Sequence, residues 1–302
     1  MASSLKDIHK AHAARAKSLY LDTRKPEEGA ADWKFALSEA RGLIAKTLRA
    51  SNFLKDTSAA LQNGGACMLV FRQLLSPPIS QDQFKLLCAV WPKGSEKADS
   101  KLKANVANAV ATVLEQWRNK RLTRWLDFNR KPTFSEKRHL MQAVSPLIAA
   151  QQFATSRRNR LAREQETAVI DLLQQKGWVR LPSSLIDTRA AVPLKHFMHK
   201  TRFATATSAP QEVDIACGLE NTVVLAMECK VTNDETNSVK RINDVLKKAE
   251  AWRTHWGSFV ITAAVLQGVI KAKDVERLID SNVEVFWSHQ LDHFAAWLDS
   301  KV

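Results

Sequence analysis

The sequence predicts an α/β protein in two parts: a helical N-terminal domain, then a mixed sheet flanked by helices. Three observations carry this expectation. Nine glycines and nine prolines in 302 residues leave room for long helices. Apolar residues recur at helical spacing through the first half. From about residue 160 onward, short apolar runs alternate with amphipathic segments, the order of a helix-flanked sheet. The expected domains are 1–155 and 156–302.

In the first half, Leu37, Ala40, Ile44 and Leu48 form one stripe of a helix over Trp33 to Leu48. The turn residues Asn63, Gly64 and Gly65 lead to an apolar segment, Cys67 to Leu75, ended by Ser76-Pro77-Pro78. A short helix over Gln81 to Trp91 stops at Pro92. The segment Ala104 to Trp117 is Ala/Val-rich and reads as a buried helix, and Ser135 as the N-cap of the next. In the second half, a helix over Leu161 to Lys176 precedes strands at Val213 to Leu219 and Val223 to Val231, joined by Asn221-Thr222. A helix over Ser238 to Trp256, a strand over Ser258 to Val265, a helix over Lys273 to Ser281, a strand over Val283 to Trp287 and a helix over Gln290 to Lys301 follow. The stretch Leu181 to Gln211 shows no regular period. Its Lys195, Lys200 and Arg202, among aromatic and apolar residues, read as a DNA-clamping insertion.

Hydrophobic residues at 45% and charged residues at 25% exclude a disordered chain or a fibre. The longest near-apolar stretch, 258–270, is interrupted and falls short of the roughly 20 residues a bilayer span needs. The N-terminus has no apolar signal core, and Leu5 to Leu21 reads as a basic amphipathic helix. Cys67, Cys88, Cys217 and Cys229 form neither CxxC pairs nor zinc spacing, so four reduced thiols of a cytosolic protein are expected.

A net charge of +14 points to a polyanionic partner, nucleic acid first among them. The excess is uneven: residues 1–155 carry 25 basic and 13 acidic side chains, residues 156–302 carry 20 and 18. Between Arg118 and Lys131, the cations Arg118, Lys120, Arg121, Arg124, Arg130 and Lys131 alternate with Trp117, Trp125 and Phe128. This is the pattern of a phosphate-binding surface, with Arg121 and Arg124 as contacts, and equally of a solvated face over core tryptophans. A second run, Arg157, Arg158, Arg160 and Arg163, reads as a linker along a phosphate backbone or as an exposed helix start.

The acids of the second half concentrate the chemistry. Asp214 interrupts an apolar strand, and in the next strand Glu228 and Lys230 stand two apart, on one face, with Cys229 on the other. Charges inside a buried strand need partners. A Glu228–Lys230 ion pair accounts for two of the three residues. A divalent cation between Asp214 and Glu228 accounts for all three, with Lys230 beside it to position or deprotonate an attacking water. Glu166 lies three, four and seven residues before Val169, Ile170 and Leu173, on the buried face of its helix. It reads as a further acid of this site or as a residue favoured by the helix dipole.

Asp214 followed by Glu228-Cys229-Lys230, then a polar loop and a long helix, resembles the PD-(D/E)xK nuclease superfamily over about residues 160–290. Val213 departs from the motif's proline. Longer segments, 82–88, 93–97, 228–233 and 237–243, resemble XamI-type restriction endonucleases over most of the chain. The resemblance implies a PD-(D/E)xK-like nuclease core. It implies a type II enzyme of a prokaryotic cytoplasm, cutting double-stranded DNA at a short palindrome as a homodimer. Mg2+ would be its cofactor, with no organic cofactor and no membrane. Asp214 and Glu228 would hold the metal, Lys230 would orient water and Glu166 would assist.

Near the N-terminus of the following helix stand Asn237, Ser238, Lys240, Arg241 and Asn243, the last three off its apolar stripe. They are candidate DNA contacts, because a helix N-terminus favours phosphates and Arg, Lys and Asn read base edges. The alternative is a solvated helix start capped by Ser238. Two rivals to a restriction enzyme remain open: a structure-specific repair or junction nuclease, and a non-catalytic DNA-binding protein on a nuclease-like core.

Overall fold

The computed structural model describes residues 4–206 and 209–302. Residues 207 and 208 of the expected insertion lie outside the described ones. In chain order the helices are α1 Leu5–Asp22, α2 Pro26–Ala50, α3 Thr57–Asn63, α4 Cys67–Gln73, α5 Gln81–Leu87, α6 Ala104–Trp117, α7 Phe134–Gln175, α8 Glu235–Trp256, α9 Ala272–Asp280 and α10 Leu291–Asp299. The strands are β1 Val179–Leu181, β2 Leu185–Ile186, β3 His196–Phe203, β4 Gln211–Gly218, β5 Val224–Thr232, β6 Val260–Gly268 and β7 Val283–Trp287.

The chain divides into two compact units. One is Pro26–Ser156; the other joins the chain up to Lys25 to Arg157–Val302. The first 25 residues therefore part from the expected domain 1–155. The reason lies in α1: Ala13 and Ala16 are buried with Ile242, Val245 and Leu278, and Tyr20 with Leu161, Val231 and Val269. A polar helix with so few apolar residues is placed by the small side chains that let it approach the sheet unit.

The helical unit contains α2 to α6 and the first part of α7. Ile44, Leu61, Met68, Phe71, Phe84, Trp91, Val110, Trp125, Leu140, Val144 and Ile148 form its core. Arg72 is buried with Glu96 inside it, donating to Glu96 Oε2 at 2.8 Å. Residues 118–133 form turns around a short 3₁₀ segment, Arg124–Leu126. Trp125 is fully buried and donates its indole N–H to the Phe53 carbonyl at 2.9 Å. Trp117 and Phe128 are exposed, and the Arg124 guanidinium lies 5.5 Å from the Phe128 ring.

In the sheet unit, seven strands run in the order β1-β3-β4-β5-β6-β7, with β2 beside β3. Pairings β3–β4 and β4–β5 are antiparallel; β5–β6 and β6–β7 are parallel. β5 is central and buried along its whole length, the mark of a strand covered on both faces. The later part of α7, with α10, covers one face through Val169, Leu173, Phe294 and Leu298. α8 and α9 cover the other through Ile242, Val245, Trp252, Val275 and Leu278. Among the described residues no helix is long and apolar enough to cross a membrane, and the four cysteines are free thiols.

Three expectations change. The expected helices from Ser135 and over 161–176 are one helix, α7. The basic run from Arg157 to Arg163 is helical and not a linker, since α7 runs on through Pro146 into the second stretch. The capping side chain is that of Thr133, which accepts from the Glu136 N–H at 3.2 Å, and not Ser135. The stretch 181–211 is not an open insertion: it holds β2, β3 and the start of β4. β3 was hidden because His196, His199, Lys200 and Arg202 blur the alternation of its apolar residues, and Lys200 takes a left-handed φ of 54°.

Candidate active site

The β4–β5 ladder ends at the pair Ile215–Met227. One more step in that register would set Asp214 opposite Glu228. There the strands part, and the Asp214 carboxylate takes the place of a ladder acceptor: its Oδ2 accepts the Cys229 N–H at 2.8 Å. Glu228 and Lys230 project from the same face of β5, and the Lys230 ammonium donates to Glu228 Oε2. Its Nζ lies 3.8 Å from Asp214 Oδ2. Asp214 and Glu228 thus meet at one ammonium. Cys229, between them, is buried on the opposite face with Val169 and Ile215.

α7 brings Glu166 to the same place. Gln165 anchors the helix to the sheet unit, donating to the Val265 carbonyl at 3.0 Å and to the Ser288 hydroxyl at 2.7 Å. Glu166, one residue on, hydrogen-bonds His199 Nε2 at 2.9 Å and Lys200 Nζ at 2.6 Å. Lys200 also donates to Asp214 at 2.6 Å. Lys248, on α8, reaches Glu228 at 3.0 and 2.9 Å, and Asp244 lies 3.5 Å from Lys230.

The charges are perturbed. Burial pushes the Asp214 carboxyl up, but Lys230, Lys200 and the Cys229 N–H outweigh it and hold the group below the ordinary carboxylate range. For Glu228, fully shielded from solvent, burial prevails and the carboxyl is raised. Burial would strip Lys230 of its proton, yet Glu228 and Asp214 more than compensate and raise it.

Among the described residues no group of three or more His, Cys, Asp or Glu stands ready to hold a metal ion, and Glu166, Asp214 and Glu228 are each paired with a lysine. The chemistry of the donor set still fits a hard divalent cation. It is all oxygen, acidic and shielded, and the positions between its carboxylates accept positive charge.

The expected DNA contacts separate. Lys240 and Arg241 lie off the buried stripe of α8; Asn237 is exposed but bonded to Asp234 at 2.5 Å, and Asn243 accepts from Arg277 at 2.7 Å. Ser238 is a correction: it is fully buried and donates to Asp274 at 3.1 Å, while Asp234 caps the helix. Lys195 is another. Its N–H donates to the Gly218 carbonyl at 3.1 Å, four residues along β4 from Asp214, about 13 Å at strand spacing. Lys200 lies among the acids. Arg202 is exposed on β3, and Arg121 and Arg124 are exposed in the helical unit.

Sequence reasoning missed Lys248 and Asp244. Both had a signal. Lys248 falls three after Val245 and four before Trp252, on the edge of the buried stripe, and Asp244 lies four before it. A lysine beside a core-facing stripe needs an acid, and Glu228 is that acid.

Residues 51–287 match the family model of the XamI restriction endonuclease. The chain belongs to that family. The XamI family resemblance read from the sequence is thereby borne out, and with it an endodeoxyribonuclease of a restriction–modification system. Over 233 residues, 75% of this chain and 82% of the other, it is 31% identical to a type II restriction enzyme XamI of Xanthomonas campestris pv. amaranthicola. A solved structure, protein VC1899 from Vibrio cholerae, overlaps 89% of this chain but only 57% of its own, at 11% identity and a TM-score of 0.33. The matched range of the XamI family contains Glu166, Asp214, Glu228 and Lys230.

Proposed function

We propose that this chain is a type II enzyme that cuts both strands of duplex DNA at a short palindrome, with Mg2+, as a two-fold homodimer. The convergence of Asp214 and Glu228 on Lys230, where β4 and β5 part, carries this reading. Asp214 and Glu228 would hold the cation, with Glu166 beside them. When bound, the ion supplies positive charge that polarises the scissile phosphate and eases loss of a proton from water.

The chain's own groups do the rest. Lys230, kept protonated by its carboxylates, donates a hydrogen bond that orients the attacking water and offsets charge developing on the phosphate. It is not the base. Asp214, held ionised by Lys230, Lys200 and the Cys229 N–H, keeps its negative charge for the cation. Lys248 shields Glu228 and fixes its rotamer. Lys240 and Arg241 at the start of α8, with Asn237 and Asn243, are the proposed base-edge and phosphate contacts; Arg202, Arg121 and Arg124 add phosphate contacts.

Incubation of the purified protein with phage DNA and Mg2+, followed by sequencing of the fragment ends, tests this. Discrete fragments sharing one palindromic end sequence are expected, and chelation with EDTA abolishes them. Asp214→Asn and Glu228→Gln lose cutting but keep DNA binding. Random ends, or cutting of branched DNA only, refutes the reading.

A further inference from the structure

Lys200 sits at a lapse in the sheet. β3 pairs with β4 at His199–Ile215 and at Thr201–Val213, but not at the intervening Lys200 and Asp214. Lys200 takes a φ of 54° there, a region that long side chains seldom adopt. This turn aims its ammonium between two acids, 2.6 Å from Glu166 Oε1 and 2.6 Å from Asp214 Oδ1. The carboxylates are shielded, at 11% and 15% exposure, whereas the Lys200 side chain is 53% exposed. Lys230 and Lys248, at 8% and 16%, are enclosed.

Two shielded carboxylates side by side repel unless a cation separates them. In this protein the separating cation belongs to the chain. It differs from the other two lysines of the site in that a path to solvent is open to it. A DNA phosphate arriving at the site would compete for the same ammonium with a full negative charge. Removal of the ammonium leaves Glu166 and Asp214 free to take up positive charge from elsewhere.

We propose that Lys200 is an internal counter-ion, which occupies the place of a divalent cation in the free protein and is drawn off by DNA phosphate when a duplex docks. Metal and DNA binding are then coupled, and by linkage each strengthens the other. This rests on the reading of Asp214 as a metal-holding residue with Glu166 beside it.

The test is a Mn2+ titration of DNA-free protein, followed by the electron paramagnetic resonance signal of the free ion. Lys200→Ala and Lys200→Gln should bind Mn2+ about tenfold more tightly than the parent. Arg202→Ala, which removes the same charge two residues along the strand, should change the affinity by less than about twofold. A random-sequence duplex should tighten Mn2+ binding by the parent more than by Lys200→Gln. The glutamine variant keeps a polar donor between the acids, so it serves if the alanine variant does not fold.

Lys200 variants that bind Mn2+ no better than the parent overturn the proposal. So does an Arg202 variant that tightens as much, or an equal effect of duplex on parent and Lys200→Gln. Loss of Mn2+ binding in Glu228→Gln alongside unchanged Lys200 variants would sink the counter-ion and leave the metal reading standing. Parental Mn2+ binding by both Asp214→Asn and Glu228→Gln, or no binding by any form, removes the metal reading and this inference with it.

Discussion

Lys248 grips both oxygens of Glu228, its ammonium 3.0 Å from Oε1 and 2.9 Å from Oε2, so that the buried glutamate faces one lysine from its own strand and another from α8. Lys248→Met takes away one of the two. With Lys230 still present, the expected loss is roughly 1–3 kcal/mol, the cost of leaving part of a buried acceptor unpaired. The double variant Glu228→Gln/Lys248→Met should be more stable than the sum of the single losses, by about 0.5–3 kcal/mol of coupling. Urea unfolding of the four proteins measures this, and strict additivity would refute the contact.

In the helical unit, Arg72 and Glu96 form an ion pair at 1% and 6% exposure, and Arg72 also donates to the Ile79 carbonyl. Removing one member strands the other in the core. Glu96→Ala should cost about 3–5 kcal/mol by chemical denaturation. A loss under about 1 kcal/mol would mean that water reaches the arginine.

Arg121 and Arg124 are expected to touch phosphates and not bases. Arg121→Ala and Arg124→Ala should each weaken binding to any duplex and lower the slope of log affinity against log salt by about one. Filter binding between low and moderate salt reads this directly. An unchanged slope would assign both arginines to the solvated face.

Glu136 holds the start of α7. Its carboxylate takes two bonds from Arg130, at 2.7 and 2.6 Å, and one from the Thr133 N–H at 2.8 Å. Arg130 and the Thr133 N–H together hold its pKa down to about 2, from an ordinary 4.5. A group whose folded-state pKa is depressed contributes stability that is present above the unfolded value and lost as pH falls through the folded one. Glu136→Gln should therefore melt below the parent at pH 7, and the gap should close between pH 4.5 and about 2. A gap independent of pH would place the effect outside the carboxylate's charge.

Some of this architecture was readable because it rests on local patterns. β7 and α6 fall where their apolar spacing sets them, and Asp214, Glu228 and Lys230 were visible as charges inside runs that only a sheet interior explains. Glu166 was visible for the same reason on a helix. β3 was not, since its own residues are mixed and its strand state comes from pairing with β4. The place of α1 was hidden too, because two alanines and a tyrosine give no stripe wide enough to name a partner.

The sequence alone determined which acids could be buried, on which face of β5 Glu228 and Lys230 project, and which family the chain resembles. These follow from a two-residue strand period and from the cost of placing charge among apolar neighbours. The tertiary structure decided the partners. It set Lys200 between Glu166 and Asp214, carried Lys248 to Glu228 and hid Ser238 against Asp274. Such contacts join residues from 14 to 36 positions apart, so they depend on how elements pack and on no local period.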